Sequence, residues 1–255
     1  MTIEKPVIIV GAGRSGSTAF HRAFSRHSQL AWLSALCGRY PRKPQLNRLL
    51  MQALDTPVIG PFAQQQFNPW ESYGFWEQHC KGFSSPCRDL VASDVTNRAR
   101  QNVHEVLSQM LTPQRRRLLI KVTGWSRIGF LQEIFPDAQF IHIVRDGRAV
   151  VNSTLEVPWW EGWGGPQGWR VGELTNEQRQ EWEVHDKSFV ALAGLEWKIL
   201  MDAVEQARAG VAAENYLQVN TRICAPSRCR FFKPSPPFAA STGPRRSRRR
   251  FAIIL

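Results

Sequence analysis

The N-terminal hydrophobic pattern predicts a buried strand that leads into an amphipathic helix. Residues 7–10 form a β-branched run bounded by a proline and a glycine, which is typical of a strand buried on both faces in a parallel sheet. The apolar residues that follow fall on one helical face: Ala19, Phe20, Ala23 and Phe24. Residues 7–26 therefore predict a strand, a glycine-rich loop and a helix.

Strands and helices alternate again in the second half of the chain. The patterns predict strands over 118–123, 139–144 and 216–219, and helices over 128–135 and 186–208. Strands that alternate with helices indicate a parallel sheet with crossover connections. The predicted fold class is α/β, a P-loop-like three-layer domain with a central parallel sheet flanked by helices.

Two segments lack a clear period. Residues 32–112 contain six prolines among short apolar runs, and we interpret them as helices and loops that cover the functional edge of the sheet. Residues 157–170 form an aromatic loop with four glycines and two prolines, and its tryptophans are Trp159, Trp160, Trp163 and Trp169. These side chains either close over a substrate or pack into the core.

The net charge of +12 comes mostly from the C-terminal segment. Residues 220–255 hold nine of the 33 basic residues and none of the 21 acidic ones, which leaves 24 basic and 21 acidic residues, or +3, for residues 1–219. We therefore expect a folded domain over 1–219 and a basic, disordered tail over 220–255. Its composition favours an out-of-frame or truncated C-terminus, and the alternative is a tail that binds phosphate or nucleic acid through 245–250.

The chain shows no apolar run long enough for a membrane span and no N-terminal signal pattern, so we expect a cytoplasmic protein. The odd cysteine count predicts reduced thiols rather than a disulfide framework: Cys37, Cys80, Cys87, Cys224 and Cys229. A zinc site built from His79 and three of these cysteines is disfavoured by the ligand spacing.

The loop at residues 11–18 is the first candidate for chemistry. Its sequence is Gly11-Ala12-Gly13-Arg14-Ser15-Gly16-Ser17-Thr18. Glycines and small hydroxyl residues between a buried strand and a helix let backbone N–H groups converge on an anion. The loop nearly matches the nucleotide-triphosphatase pattern, but Ser17 stands at the lysine position. A phosphate or sulfate is therefore the expected ligand.

Two spaced motifs make the chain resemble the sulfotransferases that use 3′-phosphoadenosine-5′-phosphosulfate (PAPS). Arg14-Ser15-Gly16-Ser17-Thr18 is similar to the family's 5′-phosphosulfate loop, with Gly13 where proline is more usual. The 3′-phosphate motif, a strand followed by Arg and eight residues later Ser, is matched by Arg145 and Ser153. The resemblance covers residues 5–219.

The resemblance implies a PAPS-binding site and a catalytic arginine. Residues 13–18 would bind the 5′ end, with Arg14 neutralising the leaving group, while Arg145 and Ser153 would hold the 3′-phosphate. Lys121, near the end of a predicted strand, either contacts the sulfuryl group or is structural. No metal is required in this family, and the other expected ligand is a hydroxyl- or amine-bearing acceptor.

A general base is harder to place. The Glu that relatives often carry about twenty residues after the loop Arg is absent here, and the predicted substitutes are Glu71, Glu77 and His79, with His185 and Asp94 as further candidates. Two other functions stay open at this point: a P-loop kinase or triphosphatase, and a noncatalytic anion- or nucleic-acid-binding protein.

Overall fold

The computed structural model describes residues 1–84 and 87–221. The five strands of these residues are β1 (Val7–Gly11), β2 (Leu30–Trp32), β3 (Arg117–Thr123), β4 (Gln139–Arg145) and β5 (Tyr216–Thr221). Their ten α-helices are α1 (Ser17–Phe24), α2 (Ala35–Arg39), α3 (Pro44–Leu54), α4 (Ile59–Gln66), α5 (Tyr73–His79), α6 (Asn97–Ser108), α7 (Ile128–Ile134), α8 (Gly147–Leu155), α9 (Asn176–Val184) and α10 (Phe189–Arg208).

The strands form one parallel sheet in the order β2-β3-β1-β4-β5. The central strand β1 is buried at every position, as its continuous β-branched sequence requires. Because all strands run the same way, their carboxyl ends meet at one edge, where ligands of open α/β sheets gather. The predicted α/β class and parallel sheet are confirmed.

Several element boundaries differ from the predictions. The strand β2 was not predicted, since its three residues are too few to show a period, and it forms by pairing with β3. The helix α9 was also missed, because it buries no residue and so has no apolar stripe. The strand β5 extends two residues past its predicted end, to Thr221.

A second apolar cluster, separate from the main core, contains part of the aromatic loop. Trp160 and Trp169 are buried there against apolar residues of α10. Trp159 is 66% exposed and Trp163 is 42% exposed. The loop thus divides: two tryptophans pack into a core, and two face solvent.

The remaining expectations concern cysteines, metals and the tail. Cys37, Cys80 and Cys87 are free thiols, while Cys224, Cys229 and residues 222–255 of the predicted tail lie outside the described residues. Residues 220 and 221, which we expected in the tail, belong to β5. In residues 1–84 and 87–221, no group of three or more His, Cys, Asp or Glu side chains is placed to hold a metal ion. None of the described helices is both long and apolar enough to cross a membrane.

Candidate active site

The glycine-rich loop joins β1 to α1 at the carboxyl edge of the sheet. Arg14 and Gly16 adopt left-handed backbone conformations, with φ of 65° and 95°. Gly16 is the N-cap of α1 and offers no capping side chain. The first N–H groups of the helix are therefore left for an anion, whose charge the helix dipole also favours.

Two further features of this loop are its close packing against β4 and its buried Ser15 hydroxyl. A Cβ atom on Gly11 would lie 2.6 Å from the carbonyl oxygen of Ile143, so only glycine lets the loop leave the sheet this close to β4. The buried Ser15 Oγ has no hydrogen-bond partner among the described residues. A buried hydroxyl without a partner costs free energy, which a ligand oxygen would recover.

The second motif lies directly beside this loop. Arg145 is the last residue of β4, and its Nη1 donates to the backbone carbonyl of Arg14 at 2.9 Å. Arg14 Nε in turn donates to Ser153 Oγ on α8 at 2.9 Å, although the two residues are 139 positions apart. The residues expected at the two ends of one nucleotide are thus in contact.

Lys121 is a buried cation at the same edge. It is 6% exposed, and its Nζ donates to Thr18 Oγ1 at 2.9 Å and forms an ion pair with Glu71 Oε1 at 2.7 Å. Alternation along β3 places Lys121 and Thr123 on one face, toward α1 and the Glu71 segment. A lysine charge is therefore held beneath the first turn of the loop helix.

Glu71 is also held by Thr123, at the end of β3. Thr123 Oγ1 lies 2.9 Å from both carboxylate oxygens and donates to them. The hydroxyl of Tyr73 donates to the carbonyl of Thr123 at 2.7 Å, and burial, followed by the charge of Glu71, raises the pKa of Tyr73. These bonds join the start of α5 to the end of β3.

The other predicted bases lie in different surroundings. Glu77 accepts hydrogen bonds from the N–H groups of Gly82 and Ser84; burial alone would raise its pKa, but these bonds outweigh it and the pKa lies below its ordinary value. His79 bonds through Nε2 to the carbonyl of Pro41. Asp94 is ion-paired with an arginine, and His185 is exposed at the end of α9. None of these contacts involves the loop at 11–18.

A buried histidine, His21, lies one turn beyond Thr18 on α1. Neither ring nitrogen has a hydrogen-bond partner among the described residues. Burial, together with the neighbouring charge of Lys121, lowers its pKa to about 3, so the ring is neutral at physiological pH. A neutral ring at this position adds no charge beside Lys121.

Thr221 is a site residue that the sequence analysis missed. Its Oγ1 lies 2.9 Å from the carbonyl oxygen of Ser15 and 3.1 Å from that of Val144. The last residue of β5 therefore ties the loop to β4. Its position two residues beyond the predicted strand gave no local signal for this contact.

Comparison with known proteins assigns the chain to a family. The model of the Sulfotransferase family matches residues 6–220. The chain therefore belongs to the Sulfotransferase family. Membership of this family supports the interpretation that the protein is a transferase. No curated protein sequence matches it significantly.

The chain is also similar to solved structures. Sulfotransferase STF9 from Mycobacterium avium is 16% identical, with a TM-score of 0.51 over 86% of this chain and 59% of its own. Sulfotransferase STF1 from Mycobacterium tuberculosis H37Rv is 16% identical over 86% of this chain and 62% of its own, with a TM-score of 0.48. The likeness to STF9 shows a sulfotransferase-like α/β fold. This chain spans 59% of the length of STF9.

Proposed function

We propose that the chain transfers a sulfuryl group from PAPS to a hydroxyl or amine acceptor. The observation that carries this proposal is the contact between the two anion motifs, in which Arg14 links Arg145 to Ser153. A nucleotide with an anion at each end needs two cationic sites on one surface. Family membership supports the same reaction class.

The donor's two ends would be bound in different ways. The loop from Gly13 to Thr18 would hold the 5′-phosphosulfate. Its donors would be the helix N–H groups, the Arg14 guanidinium and the hydroxyls of Ser15, Ser17 and Thr18. Arg145 would present its planar fork to the 3′-phosphate, with Ser153 as a further donor. Because Arg14 bonds to Ser153, a ligand phosphate at either end competes for one of these groups.

In the proposed reaction, the acceptor gives its proton to the Glu71 carboxylate while its oxygen or nitrogen attacks sulfur in line with the leaving group. The bond between sulfur and the 5′-phosphate oxygen breaks, and the negative charge collects on that oxygen. Arg14, Lys121 and the loop N–H groups neutralise this charge, which is the main contribution that a protein makes to such transfers.

Glu71 is the base that we propose among the predicted candidates. Its carboxylate is held by Lys121 and Thr123, and Lys121 also contacts Thr18 of the loop. Glu77 instead holds residues 82–84, and His79 holds Pro41. A base within reach of the loop helix is the one placed to act on an acceptor there.

Ligand protection tests the proposal against a kinase or triphosphatase. Adenosine 3′,5′-bisphosphate, the product nucleotide, should raise the melting temperature of the protein, whereas ATP with Mg²⁺ should not. Transfer of radiolabelled sulfate from PAPS to extract fractions should then depend on Arg14, with Arg14→Ala as the inactive variant. Stabilisation by ATP with Mg²⁺ and not by the bisphosphate would overturn the proposal.

A further inference from the structure

The hydroxyl of Thr221 connects three parts of the candidate site. It ends β5 and lies within hydrogen-bond distance of the carbonyl oxygens of Ser15, in the loop, and Val144, next to Arg145 in β4. Its methyl group lies 3.8 Å from the place where a Cβ of Gly16 would stand. One side chain therefore contacts Ser15 and lies near Gly16, the two residues that the next peptide joins.

This part of the loop needs support from outside. Arg14 and Gly16 both lie in the left-handed region, which costs a non-glycine residue about 1–2 kcal/mol. Such conformations persist where the surrounding structure determines them. Arg145 holds the carbonyl of Arg14, and Thr221 holds the carbonyl of the next residue, Ser15.

The direction of a carbonyl fixes the direction of the N–H group in the same peptide. A trans peptide is planar, so its C=O and N–H point to opposite sides. Because the carbonyl of Ser15 points to Thr221, the N–H of Gly16 points away from β5, on the side where α1 begins. That N–H is one of the donors that an anion at this helix terminus would use.

We propose that Thr221 is a positioning residue that sets the peptide between Ser15 and Gly16, so that the Gly16 N–H faces the 5′-phosphosulfate. The role of that N–H rests on the proposed function. The hydrogen bond from Thr221 to the Ser15 carbonyl, which we call the brace, is a property of the protein without ligand. The functional group is the hydroxyl, because the methyl contact alone leaves the Ser15 carbonyl without its donor.

The position of Thr221 in its strand fits this role. Leu217, Val219 and Thr221 alternate along β5 and share a partly buried face, and Thr221 continues this row beyond the apolar positions. A valine would preserve the shape and the strand preference of the row. Only a hydroxyl residue adds a donor for the loop.

Hydrogen exchange on the ligand-free full chain tests the brace directly. In Thr221→Val, the backbone amides of residues 13–18 should exchange at least about fivefold faster, because one hydrogen bond near 1 kcal/mol holds the loop. Thr221→Ser should exchange like the wild type. Gln218→Ala, on the same strand with an exposed side chain, is the matched control and should also be unchanged.

Calorimetric titration with adenosine 3′,5′-bisphosphate tests the consequence for binding. Thr221→Val should bind it about tenfold more weakly, and Thr221→Ser should bind it within about twofold of the wild type. The melting temperature of ligand-free Thr221→Val should fall by no more than about 4 °C, the shift that one lost hydrogen bond of about 1 kcal/mol gives in a domain of this size. A larger fall would indicate a general loss of stability rather than of positioning.

The outcomes distinguish this inference from the function on which it rests. Unchanged loop exchange in Thr221→Val overturns the inference, as does an equal loss of affinity in the valine and serine variants. Faster loop exchange with unchanged bisphosphate affinity also overturns it. If the wild type does not bind the bisphosphate, faster exchange in Thr221→Val that serine reverses supports the brace, while the PAPS-based function fails.

Discussion

Two buried ion pairs lie at opposite edges of the same sheet and have different surroundings. At the amino edge, Arg115 Nε contacts Asp55 Oδ1 at 2.9 Å, and at the carboxyl edge Lys121 Nζ contacts Glu71 Oε1 at 2.7 Å. The two cations are almost equally buried, with 5% and 6% of their side chains exposed. Burial and distance alone do not separate them.

The other hydrogen-bond partners of Arg115 and Lys121 distinguish the two ion pairs. Arg115 donates to the carbonyls of His27 and Leu30, so it joins the end of α3 to the start of β2. Lys121 contacts a hydroxyl of the glycine-rich loop, close to His21, whose nitrogens have no partner among the described residues. The first pair is satisfied by fixed backbone groups, whereas the second lies beside the glycine-rich loop and near a buried ring whose nitrogens have no hydrogen-bond partner among the described residues. This difference distinguishes a structural ion pair from a candidate catalytic one.

The largest expected effect comes from the carboxyl-edge pair. Glu71→Gln keeps the shape but removes the proposed base, so the rate of sulfuryl transfer should fall by about 10²- to 10³-fold. Affinity for adenosine 3′,5′-bisphosphate should stay within about twofold. Steady-state assays and calorimetry measure the two. Glu77→Gln is the matched control and should transfer sulfate normally; a normal rate in Glu71→Gln would contradict the assignment.

The amino-edge pair should affect folding instead. Asp55→Ala leaves the Arg115 charge buried without its carboxylate, which should lower the free energy of unfolding by about 3–5 kcal/mol. Urea unfolding measures this loss. Transfer activity per folded molecule should be unchanged below the unfolding transition. If Asp55→Ala has wild-type stability, or if it folds but is inactive, the amino-edge pair does not have the purely structural role that we assign to it.

Acid should destabilise the fold through His21. The unfolded side chain takes up a proton near its ordinary pKa of 6.5, but burial holds the native pKa at about 3. Between these values the unfolded state binds more protons, so stability falls as the pH falls. His142, whose pKa burial lowers to about 4, adds to the effect.

Thermal unfolding between about pH 7 and pH 5 measures this dependence. His21→Leu should flatten the fall in melting temperature, since it removes one of the two buried titrating rings. His185→Gln, which changes an exposed histidine, should follow the wild-type curve. Equal slopes for His21→Leu and the wild type would refute this source of acid sensitivity.

The fold was largely predictable because its central elements have strong local patterns. The β-branched strand β1, the strand β4 that ends in Arg145 and the long helix α10 were all found from periodicity and motif spacing. The strand β2 was not found, because three residues show no period and pairing with β3 creates the strand. Tertiary contacts therefore decided the element that local pattern did not.

The site was predictable only where its residues are adjacent in sequence or fall at family spacing. The contact of Glu71 with Thr123 spans 52 positions, and that of Thr221 with Ser15 spans 206. Contacts between residues so far apart leave no pattern in the local sequence. The sequence therefore predicted Glu71, Glu77 and His79 as candidate bases without a means to choose among them. Our proposal of Glu71 rests on a contact that the fold creates by bringing β3 and the start of α5 together.

Titration of two nucleotides against one variant tests the central claim most directly. If Arg145 binds the 3′-phosphate, Arg145→Ala should weaken adenosine 3′,5′-bisphosphate at least about tenfold more than adenosine 5′-phosphate, because hydrogen bonds to a charged group contribute about 1.5–3 kcal/mol. Any loss shared by both nucleotides reports the bond from Arg145 to the Arg14 carbonyl in the loop. The variant should then bind the two nucleotides alike. Unchanged bisphosphate affinity, or an equal loss for both nucleotides, would contradict a single nucleotide held between Arg145 and the glycine-rich loop.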